Sequence, residues 1–220
     1  MSRYTLPAGL LLLAVVWLGP LLDSWRDSFS AHMVAHMSVV GVAAPLIAIG
    51  LSKCCKAHIP MPLTLPVVAS VLELITVWSW HAPIIRRVVE TSVTVTVVEQ
   101  AMFLLVGILL WWTCLAQPSD KMHAAIGAGA LLLTSIHMTL LGALLSLSQR
   151  PLYGDGEVTC FGVVLGAQED QQLGGIIMLL VGAIVYLAGG LLLARRLVAD
   201  PVASDGARDN AAEKPYPLGN

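Results

Sequence analysis

Apolar and polar positions in this chain alternate on the scale of whole helices rather than single residues. Six long runs, almost free of charge, cover residues 5–22, 31–52, 62–80, 93–116, 122–148 and 173–194. A helix needs about 20 mainly apolar residues to cross the hydrocarbon of a bilayer, so each run predicts a spanning segment. The fourth run opens Thr91-Ser92-Val93-Thr94-Val95-Thr96-Val97-Val98, which in water reads as a strand. In lipid an open strand leaves its backbone groups unpaired, whereas a helix pairs them internally, so a helix is expected here too. The first run follows Arg3 and is not followed by a small-residue cleavage site; it reads as a helix rather than a signal peptide. The predicted fold class is therefore all-α, an integral membrane bundle of about six transmembrane helices within residues 1–199. Residues 200–220 show no period and little apolar content, and a disordered polar tail is expected there.

Composition points the same way. Hydrophobic residues make up 57% of the 220, charged residues only 12%, and the mean hydropathy is +0.80, too apolar for one soluble core. A net charge of −2 with no basic stripe argues against a nucleic-acid partner; the expected surroundings are lipid. Cys54 and Cys55 are adjacent, and Cys114 and Cys160 stand alone, so neither a CxxC zinc spacing nor a disulfide framework is present. Gly127, Gly129, Gly174, Gly175, Gly182, Gly189 and Gly190 are expected to let helices approach closely. With the amino terminus inside, Arg3, Lys53, Lys56, Lys121, Arg195 and Arg196 are cytoplasmic, and Arg26, Arg86, Arg87 and Arg150 lie outside. This excess of inner positive charge favours that orientation.

The orientation gathers the polar residues at one face. His32 and His36 begin the second run from outside, one helical turn apart and on one side of the helix. His81 ends the third, Glu99 and Gln100 lie near the outer start of the fourth, and Asp170, Gln171 and Gln172 precede the sixth. His137 lies 11 residues before the outer end of the fifth run, about 16 Å in along a helix. Ionisable groups are costly in hydrocarbon and usually face a bundle interior, where they pair, bind ions or relay protons. Imidazole suits zinc, copper, iron and nickel, while thioether sulfur favours Cu(I). Because Met33, Met37 and Met138 follow three of the histidines, the expected ion is copper, as Cu(I). The candidate ligands are His32, His36, His81 and His137. Glu99, Gln100, Asp170 and Gln171 are expected to orient the imidazoles through their second ring nitrogens.

Other polar residues have plainer readings. Glu73 sits in mid-helix as a proton-relay carboxyl or a buried neutral acid, and the sequence leaves both open. His58 and His123 read as loop residues, and Trp78, Trp80, Trp111 and Trp112 as an interfacial belt.

Several of these stretches together resemble the CtaG family of polytopic cytochrome c oxidase assembly factors. They are His32-Met33-Val34-Ala35-His36-Met37 with Ala44-Pro45-Leu46-Ile47-Ala48-Ile49-Gly50, Trp80-His81-Ala82-Pro83, Glu99-Gln100 before Phe103-Leu104, and Leu110-Trp111-Trp112. Ser148-Gln149-Arg150-Pro151-Leu152-Tyr153 and Glu169-Asp170-Gln171-Gln172-Leu173-Gly174-Gly175 extend the likeness, which covers about residues 28 to 196. Members often carry a histidine where this chain has Gln100, and commonly a seventh helix. The resemblance implies a multi-pass protein of the bacterial plasma membrane that helps to build a haem-copper oxidase. Its implied partners are oxidase subunits or copper chaperones.

The sequence thus predicts a non-enzymatic assembly factor that binds copper near the outer face and passes it on. The alternative is a structural or haem-binding subunit that stays in a respiratory complex; the haem reading requires two axial histidines on facing helices, such as His36 and His137.

Overall fold

The computed structural model describes residues 4–19, 21–22, 24–54, 61–115, 121–160 and 162–198. His58, Cys55 and the tail expected after residue 199 lie outside the described residues. The first helix is α1 (Thr5–Leu18). Helix α2 (Phe29–Met37) continues through a π-helical turn (Ser38–Ala43) into α3 (Ala44–Cys54). Helices α4 (Leu65–Trp80), α5 (Pro83–Thr91), α6 (Val93–Leu115), α7 (Lys121–Leu147) and α8 (Ala167–Val198) follow. Between α7 and α8 the strands β1 (Glu157–Cys160) and β2 (Val163–Gly166) pair antiparallel, Glu157 opposite Gly166.

The helical membrane architecture is as expected; the described residues give four to five candidate spans and do not confirm a count of six. Among the described residues, four continuous spans are long and apolar enough to cross a bilayer: Phe29–Ser52, Val93–Leu115, Lys121–Leu147 and Ala167–Val198. A fifth is obtained if Leu65–Trp80 and Pro83–Thr91, bent by 72°, count as one. Helix α1 stops after 14 residues, about 21 Å of rise, short of a hydrocarbon core of about 30 Å. Its end has a local cause. Gly19 is extended at φ −86° and ψ −178°, because the proline at position 20 disfavours helical backbone in the residue before it. Pro83 acts alike, holding Ala82 extended at ψ 129° so that α5 leaves in a new direction. This short helix, with Arg86 and Val89 buried, and the β-hairpin are two elements that hydropathy did not predict.

The π-helical turn has a partner of its own. A π turn loosens the regular ladder, and the Trp111 indole donates to the Val40 carbonyl at 3.2 Å. Trp111 is 6% exposed and stacks on Tyr186 at 5.6 Å, so it belongs to the core and not to an interfacial belt. His123 is likewise not in a loop: it lies in the first turn of α7, with Nε2 2.7 Å from the Thr113 carbonyl. Gly129 faces open space rather than another helix.

The contacts fix which helix ends meet. The C-terminal end of α4 and the N-terminal ends of α2, α6 and α8 gather at one end of the bundle. The C-terminal end of α7 joins them through Leu145. Thus α4 and α7 run in the same direction, and α2, α6 and α8 run against them.

Candidate functional site

Construction of this end begins with the start of α2. Ser28 caps the helix, its hydroxyl accepting the Ala31 N–H at 3.2 Å. Asp170, from the first turn of α8, then takes four further donors. Its Oδ1 accepts the Ser28 hydroxyl at 2.9 Å, the Ser30 N–H at 3.1 Å and the Ser30 hydroxyl at 2.5 Å; its Oδ2 accepts the Phe29 N–H at 2.5 Å. The first N–H groups of a helix have no partner within it and carry partial positive charge, so a buried carboxylate there satisfies and offsets them. These bonds go to the start of α2 and not to an imidazole.

Two turns of α2 therefore begin from an anchored end, and they carry His32 and His36 inward. His36 is fully buried and both its ring nitrogens lack hydrogen-bond partners. Its ring lies 5.4 Å from that of His81 and 4.1 Å from Phe103, centroid to centroid. The His32 and His81 rings are 6.2 Å apart, and His32 Nε2 approaches Glu99 Oε1 at 3.4 Å. Nδ1 of His81 is bound to the Val77 carbonyl at 2.6 Å, while its Nε2 is buried without a partner. A ring nitrogen sits about 2 Å from a bound first-row ion, which puts the centroids of two ligating imidazoles about 5 to 6.5 Å apart. The His36–His81 and His32–His81 pairs match that spacing in ring position. Among the described residues, however, no three His, Cys, Asp or Glu side chains converge on one point as a held ion requires.

Three residues not predicted from the sequence as site residues complete the end. Arg86 is 2% exposed, pairs with Glu90 at 3.1 Å and donates to the Arg26 carbonyl at 3.4 Å. Its i,i+4 spacing to Glu90 was the available signal. Phe103, itself part of the core, lies against all three rings, 6.4, 4.1 and 6.3 Å from His32, His36 and His81. Tyr153, in the loop after α7, stacks on Phe29 at 4.4 Å and donates to the His81 carbonyl at 2.6 Å. Burial pushes its phenol above the ordinary range, so it stays a donor. Gln171 ties the same loop down, accepting the Leu152 N–H at 2.6 Å and donating to the Leu145 carbonyl at 3.1 Å. Tyr153→Phe removes one buried hydrogen bond of about 1 kcal/mol. We expect it to lower the unfolding temperature in detergent by a few degrees, measured by thermal denaturation against wild type.

His137 does not join the trio by any ring contact, and both its nitrogens are buried and unpartnered. It belongs to a second polar layer further in, where Ser70 and Thr134 hydroxyls meet at 2.8 Å and the Tyr186 hydroxyl donates to Glu73 Oε1 at 2.7 Å. Since α4 and α7 are parallel, Glu73 and His137 each lie three residues beyond the Ser70–Thr134 contact and stand at one level. Gln100, beside Glu99, approaches that carboxyl without forming a well-directed hydrogen bond.

The fold and this end together define a multi-pass membrane protein with a cluster of buried imidazoles, those of His36 and His81 keeping unpartnered ring nitrogens, beneath the loop that carries Tyr153. More particularly, the chain matches the family model of the cytochrome c oxidase caa3 assembly factors, Caa3_CtaG, over residues 5–200. It belongs to that family. No curated protein and no solved structure matches the chain.

Proposed function

We propose that this assembly factor binds one Cu(I) ion at the end of the bundle that holds His32, His36 and His81, and passes it to a subunit of the oxidase. Copper is here a cargo. The observation that carries the reading is the trio itself: two imidazoles from α2 and one from the end of α4, with both nitrogens of His36 and Nε2 of His81 free of hydrogen bonds. Buried polar atoms without partners are rare because each costs free energy, and an ion that accepts their lone pairs removes the cost. Imidazole is a ligand in its neutral form, which suits a low-dielectric site. Glu99, whose Oε1 lies 3.4 Å from His32 Nε2, is an acid placed beside the bound ion. By the distribution of Lys and Arg this end faces outward, where metal is exchanged.

The test is metal content by elemental analysis of protein purified in detergent under reducing conditions and offered Cu(I). We expect about one copper per chain in wild type and none in the His32→Ala/His36→Ala double variant. His137→Ala, in the inner layer, retains the ion. An empty wild type that resists loading would overturn the reading and leave an assembly role without metal cargo. Delivery is checked separately, as a fall in the copper content of the caa3-type oxidase in cells carrying the double variant.

A further inference from the structure

Beside the histidine end, a cavity of about 370 Å³ opens on the flank of the bundle between α1 and α6. Its walls are Trp17 and Leu18 on one side and Val93, Val97 and Ala101 on the other. Leu18, Val93 and Val97 are exposed, so the groove opens toward the acyl chains of the surrounding bilayer. Among its lining residues Arg26, Gln100, Thr96 and the Trp17 indole carry polar groups. Gln100 is 3% exposed, and neither its amide nitrogen nor its oxygen has a hydrogen-bond partner.

The neighbouring polar groups are already committed. The Thr96 hydroxyl donates to the carbonyls of Val89 at 3.0 Å and Ser92 at 3.1 Å, and Arg86 is paired with Glu90. Among the described residues, the guanidinium of Arg26 and the primary amide of Gln100 are therefore the groups best placed to read a ligand above the apolar channel. The walls of Trp, Leu and Val offer no stripe of small residues on which a second transmembrane helix could pack closely. A single flexible chain fits such a groove, an anionic head complements Arg26, and a carbonyl next to that head accepts from the stranded Gln100 amide.

We propose that this groove is a binding site for one anionic phospholipid. Its acyl chain lies along Trp17, Leu18, Val93 and Val97, its phosphate on Arg26 and an ester carbonyl against Gln100. The site is independent of the metal reading, although Leu22, Arg26 and Thr96 also line a small cavity that reaches His32 and Arg86.

The experiment reconstitutes the full chain in bilayers of equal phosphatidylglycerol and phosphatidylcholine, then counts lipids retained after mild extraction by native mass spectrometry. One arginine near a membrane surface favours an anionic lipid roughly fivefold. Wild type is expected to keep one phosphatidylglycerol with about that preference over phosphatidylcholine. Arg26→Gln brings the ratio to one. Ala101→Trp fills the channel and loses the lipid, whereas Leu105→Trp, on an exposed face of the same helix and outside the groove, keeps it. Wild type that retains no lipid, or both lipids equally, overturns the proposal. So does Arg26→Gln with an undiminished preference, a result that stands even if Ala101→Trp fails to fold.

Discussion

Substituting valine for Gly142 is expected to abolish stable α7–α8 packing. A Cβ on Gly142 would lie 2.7 Å from the Leu179 backbone nitrogen and 2.8 Å from the Gly175 carbonyl oxygen. The reciprocal position is as tight: on Gly175 it would lie 2.6 Å from the Ser146 nitrogen and 2.8 Å from the Gly142 oxygen. These neighbours are backbone atoms, so no rotamer change relieves the overlap and the two helices must separate. The cost should exceed the about 1–3 kcal/mol of ordinary overpacking in a core. In the membrane this matters more than in water, because helices associate there through close van der Waals contact without a hydrophobic force between them. The loss also reaches the functional end, since Gln171 of α8 holds the Leu145 carbonyl of α7 and the Leu152 N–H of the loop. Thermal unfolding in detergent measures the effect; Gly129→Val, placed where nothing lies within 4 Å, is the matched control with little change expected.

How far the sequence carried this description depends on the range of the interaction concerned. Hydropathy reports preference for lipid, which is why Val93–Leu115 was legible as a helix in spite of its β-branched start. It does not report direction or backbone breaks, so the early end of α1 at Gly19 was absorbed into a longer apolar run, while α5, which turns away at Pro83, fell between two runs. Helical spacing put His32 and His36 on one side of α2, and loop charges put His81 and Glu99 at the same end; the structure brings those four together. His137 was grouped with them from its distance along α7 alone, a measure blind to helix tilt and rotation, and no ring contact joins it to the trio. Least legible were contacts between residues far apart in sequence. Nothing local at Asp170 tells that its oxygens serve Ser28, Phe29 and Ser30, about 140 positions away, or that Tyr153 reaches the His81 carbonyl.

Asp170 accordingly carries the other large prediction. It is 2% exposed, and its two oxygens take all four contacts from the start of α2. Asp170→Ala strands two backbone N–H groups and two hydroxyls at a buried helix start. Hydrogen bonds to a charged group contribute about 1.5–3 kcal/mol each, so a loss of roughly 3 kcal/mol or more is expected even after local rearrangement. Asp170→Asn separates charge from shape. One of its amide positions becomes a donor facing a donor, and the negative charge at the N-terminus of α2 is gone. We expect the asparagine variant to fold in detergent with reduced thermal stability while the start of α2 frays. That fraying is read as faster backbone hydrogen exchange over residues 29–33, with α6 and α7 unchanged. Because His32 and His36 lie within two turns of this anchor, the same variant should bind copper more weakly than Tyr153→Phe does. Full copper affinity in Asp170→Asn, with α2 exchanging as slowly as in wild type, would show that the start of the helix is held by other means.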